Sequence, residues 1–263
     1  MIARPEIVRL AREGGVDERT QERDYVLAWL LAGMATEDFG LVLKGGTCLR
    51  LCYIRGYRYS EDLDFTLATG ASPIAVVDAA SAWCRFLARE AGIRADAMSD
   101  PAIARKRGWV SFTGPLGARR EQAIKIDVAD DEDVVDEVVR RPLLSDYSDL
   151  PDAKFAVPAY SLTEIWAEKT RSLMQRAEPR DAYDLAQLNA LDGELAGVAH
   201  EAFEHKARAK GLNPEALSDR LEARETSLRR NWNRRLSDQV TEVPDFESTW
   251  RAVRRALRQA GYF

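Results

Sequence analysis

The spacing of apolar residues changes period once along this chain, and that change limits the architectures open to it. From Phe39 to Asp130 short runs of β type alternate with helical ones, whereas from Ser161 onward the spacing is almost entirely helical. Leu41 to Leu43 reads as a brief strand ending at Gly45-Gly46, followed by a short helix over Cys48 to Ile54. Leu63-Asp64-Phe65-Thr66-Leu67 alternates apolar and polar side chains, as a half-buried strand does. Ile74, Val77, Ala80, Trp83 and Leu87 recur at helical spacing within Ser72 to Ala91, after a Ser-Pro opening. Ile93 to Ala97, Gly108 to Thr113 and Ala123 to Val128 predict three further strands. The sum is an α+β fold with a small mixed sheet and a helical C-terminal domain.

Ser161-Leu162-Thr163-Glu164 matches a capping box, in which the serine oxygen and the glutamate each satisfy an orphan backbone N–H. Further helices are expected over Arg180 to Leu191, Glu194 to Lys210, Pro214 to Arg235 and Phe246 to Ala260. The stretch from Arg141 to Pro158, with three prolines, reads as the boundary between the two regimes. The expected division is a core with an N-terminal helix over residues 1–150 and a helical domain over 151–263.

Net charge is −5, so the whole chain is not a basic nucleic-acid binder. Arg229, Arg230, Arg234, Arg235, Arg251, Arg254, Arg255 and Arg258 nevertheless crowd the C-terminal part, either as solvated helix faces or as contacts for phosphate or an acidic partner. The apolar run from Tyr25 to Met34 is too short to cross a bilayer, and the first residues lack a signal-peptide core, so a cytoplasmic location away from membranes is expected. Cys48, Cys52 and Cys84 read as small core residues. With two histidines, both late in the chain, a zinc site is not expected.

The chemistry concentrates in Lys44-Gly45-Gly46-Thr47 and in Ser60-Glu61-Asp62-Leu63-Asp64. Paired glycines between a strand and a helix let backbone N–H groups approach a triphosphate, to which Thr47 can add a hydroxyl. Period-two geometry puts the Asp62 and Asp64 carboxylates on one strand face, where they repel unless a cation lies between them. Mg²⁺ takes such hard oxygen ligands together with substrate phosphates. Asp127, near the end of Ile124-Lys125-Ile126-Asp127-Val128 and on the same strand face as Lys125, offers the third carboxylate that a two-metal displacement needs for the ion activating the attacking hydroxyl, with Asp130 and Asp131 as competitors and a turn-initiating aspartate as the alternative. Lys169 falls inside the apolar stripe Leu162, Ile165, Trp166, Leu173 and Ala177, so it needs an anion. Either a nucleotide phosphate or a structural carboxylate such as Asp181 or Asp184 would serve.

These segments resemble the AbiEii/AbiGii-type nucleotidyltransferase toxins of abortive-infection and toxin–antitoxin systems. The match rests on Leu43 to Thr47, Arg58 to Phe65, the Glu168-Lys169 helix with Arg176, and Arg180 to Leu185, and it spans about Phe39 to Leu191. The resemblance implies a polymerase β-like core, Mg²⁺-dependent use of a nucleoside triphosphate, and a cognate antitoxin. It implies that Ser60, Asp62, Lys169 and one of Asp181 or Asp184 are sensitive positions, and that the acceptor is RNA such as the 3′ end of a tRNA. The resulting expectation places Asp62, Asp64 and Asp127 on the metal, Lys44, Gly45, Gly46, Thr47, Ser60 and Lys169 on the nucleotide, and Lys169, Asp181 and Asp184 among the catalytic groups. A transferase acting on a small molecule or protein, and a non-catalytic nucleotide-binding module, are the competing readings.

Overall fold

A computed structural model describes residues 1–71, 75–117 and 122–263. The chain folds into two compact units. The first comprises residues 1–131, 138–159 and 239–241, and the second 132–137, 160–238 and 242–263. The chain therefore changes unit several times.

In the first unit, helices α1 (Arg4–Glu13) and α2 (Glu18–Met34) precede the sheet. Asp17 caps α2 by accepting from the Arg19 and Thr20 backbone N–H groups at 2.7 and 2.8 Å. Then come β1 (Leu41–Lys44), α3 (Gly45–Cys48) running into a π-helical turn (Leu49–Tyr53), β2 (Leu63–Leu67), α4 (Val76–Glu90), β3 (Arg94–Met98), β4 (Arg107–Thr113), β5 (Gln122–Ala129), β6 (Val139–Pro142) and β7 (Ala156–Ala159). The strands form one seven-stranded sheet in the order β3-β4-β5-β2-β1-β7-β6. It is mixed, because β2 pairs parallel with β5 and β1 parallel with β7 while the other neighbours run antiparallel.

The strand at Leu63–Leu67 has the expected bounds, and the expected sheet grows by two strands within the proline-bearing stretch. The helix expected from Ser72 is described from Val76; Ser72, Pro73 and Ile74 lie outside the described residues. Alternation holds in the first half of β2, which buries Leu63 and Phe65 and leaves Asp64 half-exposed, and breaks at Thr66, which is buried. Phe65 meets Trp83 of α4 with ring centroids 5.6 Å apart, so the apolar face of β2 is sealed by that helix. Each such side chain contributes about 1.5–3 kcal/mol by leaving water. Cys48, Cys52 and Cys84 are buried free thiols, as expected.

The second unit holds α5 (Leu162–Arg176), α6 (Pro179–Leu191), α7 (Leu195–Ala209), α8 (Leu217–Leu236) after a 3₁₀ turn at Pro214–Ala216, and α9 (Phe246–Gln259). Only half of the expected capping box forms at Ser161. The serine Oγ accepts from Glu164 N–H at 3.0 Å, but the glutamate turns away from its own helix start. Its fully buried carboxylate accepts from the backbone N–H groups of Val135 and Asp136, at 3.2 and 2.9 Å, and pairs with Lys206 Nζ at 2.6 Å. A buried carboxylate is better satisfied by two fixed amides and an ammonium than by one N–H at the helix end. No helix among the described residues is long and apolar enough to cross a membrane.

Candidate active site

The sheet brings four charged residues into one row. In register, Lys44 on β1 stands beside Asp64 on β2, Asp64 beside Asp127 on β5, and Asp127 beside Arg107 on β4. Because each strand alternates, a row in register shares a face, and Lys125, two residues before Asp127, lies on that face as well. Lys125 Nζ is 2.8 Å from Asp127 Oδ2 and 3.8 Å from Asp62 Oδ2. Arg107 Nε donates to Asp127 Oδ1 at 2.6 Å. Asp62 and Asp127 thus face a common ammonium, and Asp64 stands beside Asp127 in the row.

The charges respond to this crowding. Burial would raise Asp127's carboxyl, but the hydrogen bonds from Lys125 and Arg107 outweigh it and hold the group below the usual carboxylate range. The Lys125 ammonium is held above the usual lysine range, first by its bond to Asp127 and then, against burial, by the charges of Asp62, Asp127 and Asp64.

One glycine of the pair, Gly45, faces this row. Gly45 adopts φ +76°, a conformation costly for other residues, and a Cβ there would lie 3.0 Å from Asp64 Oδ2. A Cβ on Gly46 would fall 2.6 Å from Arg58 Nη2. The space that the glycines keep open is therefore lined by one acid and one base of the protein itself. Arg58 is buried, donating from Nη1 to Gln239 Oε1 at 2.9 Å and to Tyr59 O at 3.3 Å.

Thr47 sits deeper than expected. Its side chain belongs to a residue only 1% exposed, and its hydroxyl donates to the Asp62 carbonyl at 2.6 Å. In this structure the hydroxyl expected to meet a triphosphate instead holds the backbone that carries Asp62. Behind the same segment, Arg50 pairs with Asp24, donates to Tyr57 O and lies 3.6 Å from the Tyr59 ring centroid, while Tyr59 N–H donates to Gln239 O at 2.7 Å. Ser60 is half-exposed at the end of this braced run.

Asp62 and Asp64 are hard oxygen donors whose neighbourhood already attracts a cation, Lys125, and that donor chemistry suits a divalent ion such as Mg²⁺. Asp127 differs, because each of its oxygens is engaged by a basic side chain. Among the described residues no three His, Cys, Asp or Glu side chains gather as a ready-made metal cluster.

Lys169, Asp181 and Asp184 lie together in the second unit. Lys169 Nζ is 3.1 Å from Asp181 Oδ1 and 2.6 Å from Asp184 Oδ2, and both carboxylates are fully buried. Arg176 Nε adds a bond to Asp181 Oδ2 at 2.9 Å. Burial alone would raise Asp181's carboxyl, yet Lys169 and Arg176 hold it below its usual range. The inward-facing lysine thus pairs with two buried carboxylates, Asp181 and Asp184. Arg58, Arg107 and Lys125 join the site without being among the residues expected to form it. Strand parity alone puts Lys125 on the face of Asp127, whereas Arg107 is legible only from strand pairing.

The sequence model described as nucleotidyl transferase AbiEii toxin, type IV TA system, matches residues 29–259. The chain belongs to this family. It is accordingly a nucleotidyltransferase toxin of a type IV toxin–antitoxin system, a class that acts on a nucleotide substrate and has an antitoxin partner. The AbiEii chain also resembles a solved structure described as MenT4, a nucleotidyltransferase toxin from Mycobacterium tuberculosis, with a TM-score of 0.72 at 19% identity over 100% of this chain and 91% of that one. At that identity the likeness concerns the fold. An antigenic nucleotidyltransferase-like protein from Paracoccidioides brasiliensis matches with a TM-score of 0.43 at 18% identity, covering 77% of this chain and 93% of that one. No curated protein matches the sequence.

Proposed function

We propose that this AbiEii-family chain transfers a nucleoside monophosphate from a nucleoside triphosphate to a hydroxyl of an RNA acceptor, foremost the 3′ end of a tRNA. The observation that carries the reading is the row of Lys44, Asp64, Asp127 and Arg107 across four strands, with Asp62 and Lys125 on the same face and Gly45 against Asp64.

In the reaction the acceptor oxygen bonds to the α-phosphorus. The bond from that phosphorus to the oxygen bridging to the β-phosphate breaks, pyrophosphate leaves with the electron pair, and the hydroxyl proton passes to solvent. Asp62 and Asp64 would hold Mg²⁺, which supplies charge neutralisation for the triphosphate. Lys44 and Lys125 offer fixed positive charge to the phosphate oxygens, and Gly45 keeps side-chain bulk away from them. Asp127 stays ionised beside Lys125 and Arg107 and orders that positive charge. Catalysis on these terms is positioning and electrostatic stabilisation. Exposed Arg230, Arg251, Arg255 and Arg258 on α8 and α9 favour an RNA backbone as acceptor.

Incubation of the chain with α-labelled nucleoside triphosphates, total RNA and total protein tests the reading. Label is expected on small RNA and absent with Asp62→Ala. Label on protein or on a small molecule alone would replace the RNA acceptor, and nucleotide binding without any label would remove transfer.

A further inference from the structure

We infer that Lys125 is a built-in cation of the site, standing where a second metal ion would otherwise be needed, so that the site binds one divalent ion at Asp62 and Asp64 rather than two. The inference rests on the proposed transfer site and deepens it.

Two observations carry it. Asp127, the third carboxylate of the row, has Oδ1 engaged by Arg107 at 2.6 Å and Oδ2 by Lys125 at 2.8 Å, so both oxygens face basic groups of the protein. Lys125 Nζ also lies 3.8 Å from Asp62 Oδ2, close enough to share that carboxylate's charge. A carboxylate holding two cationic side chains is a poor ligand for a further cation, because the ion would have to displace both. Asp127 then acts as a positioning residue: it draws the Lys125 ammonium along β5 to the edge of the Asp62 carboxylate. There the ammonium competes with a divalent ion in the nucleotide-free protein. Once the triphosphate arrives, the same charge is available to its oxygens. The lysine is pinned from one side by Asp127 and remains about a third exposed on the other, which leaves it accessible to a ligand.

Mn²⁺ titration of the full chain without nucleotide, followed by paramagnetic relaxation, tests this directly, and a fluorescent non-hydrolysable triphosphate reports nucleotide binding. The wild type is expected to bind one Mn²⁺ at this site, and Asp62→Asn to lose it. Lys125→Met is expected to tighten Mn²⁺ binding by about fivefold, the scale of a partly exposed ion pair, and to weaken triphosphate binding by a similar factor. Lys125→Arg should restore triphosphate binding. Asp127→Asn should retain one Mn²⁺ but weaken triphosphate binding. Two Mn²⁺ per site in the wild type, or tenfold loss of Mn²⁺ affinity in Asp127→Asn, would overturn the inference by making Asp127 a ligand. So would a Lys125→Met protein with both affinities unchanged. Retained Mn²⁺ binding in Asp62→Asn would instead remove the proposed site itself, a separate failure.

Discussion

The first unit's acidic face and the second unit's ion cluster use the same side chains under opposite conditions of solvation. Asp62 and Lys125 are each more than a third exposed, at 37% and 36%, and lie 3.8 Å apart. Lys169 is 9% exposed and touches two carboxylates that solvent does not reach. In the first setting water screens the charges, so their mutual attraction contributes little to stability and partners can be exchanged. In the second, neither charge can leave its partner without an uncompensated charge remaining in a poorly polarisable interior. The contrast is between charges that water can reach and charges that it cannot, and it can be broken from either side.

The largest effect is expected at the exposed face. Asp62→Ala should lower nucleotide transfer by about a thousandfold or more, on the scale of losing a group that stabilises transition-state charge. Because the side chain is half-exposed, the thermal midpoint should move little. A midpoint that fell along with transfer would make Asp62 a structural residue and erase the contrast.

Next comes the buried cluster. Asp181→Ala leaves Lys169 short of one buried partner and is expected to cost roughly 3–5 kcal/mol in chemical denaturation. Its pH dependence has a definite sign. Asp181's carboxyl lies below its unfolded value when folded, so its contribution is complete above about pH 3.9. That contribution is lost as pH falls toward the folded value, because the unfolded chain then binds the proton more readily. Wild type should therefore lose stability on acidification below about pH 4 more steeply than Asp181→Ala. If Asp181→Ala abolished transfer at unchanged stability, the cluster would belong with the catalytic groups that the family resemblance suggests.

Legibility in the sequence follows the range over which each feature is determined. Strand β2 is decided by five alternating residues, and Lys169 by a helical stripe with Asp181 and Asp184 on the next helix, so both are readable locally. Strands β6 and β7 have four residues each and contain Pro142 and Pro158, which read as turn signals. β6 lies at the sheet edge, where a missing N–H is tolerated, and only pairing with distant residues reveals it. The same limit applies to Glu164. Its local pattern is a capping box, but Lys206, 42 positions along the chain, offers the stronger partner. At the site, strand parity puts Asp62 on the face of Asp64 and Lys125 on the face of Asp127, while Arg107 beside Asp127 depends on which strands become neighbours.

The glycine pair offers a smaller perturbation that distinguishes its two halves. Gly46→Ala drives a methyl group to within 2.6 Å of Arg58 Nη2, and Arg58 is held by Gln239. Overpacking of this kind costs about 1–3 kcal/mol. The loss should register in the thermal midpoint more than in transfer. Gly45→Ala strains a backbone at φ +76° and crowds Asp64, so it should reduce transfer as well. Equal effects of the two variants on transfer would mean that Arg58 itself meets the substrate.

The finest test concerns Thr47, because its hydroxyl has two readings that predict different kinetics. If it met the triphosphate, Thr47→Val would raise KM for the nucleotide and leave kcat nearly unchanged, the signature of lost uniform binding. The structure commits the hydroxyl to the Asp62 carbonyl, so its removal should loosen the segment that carries Asp62. Stability should fall by about 1 kcal/mol, the net worth of one hydrogen bond. Transfer should fall through kcat, by roughly tenfold, because a small displacement of a positioned group acts on the reacting geometry. Thr47→Ser keeps the donor and should restore most of kcat, which loss of the methyl group alone could not achieve. A rise confined to KM would return Thr47 to the nucleotide and leave Asp62 positioned by its strand alone.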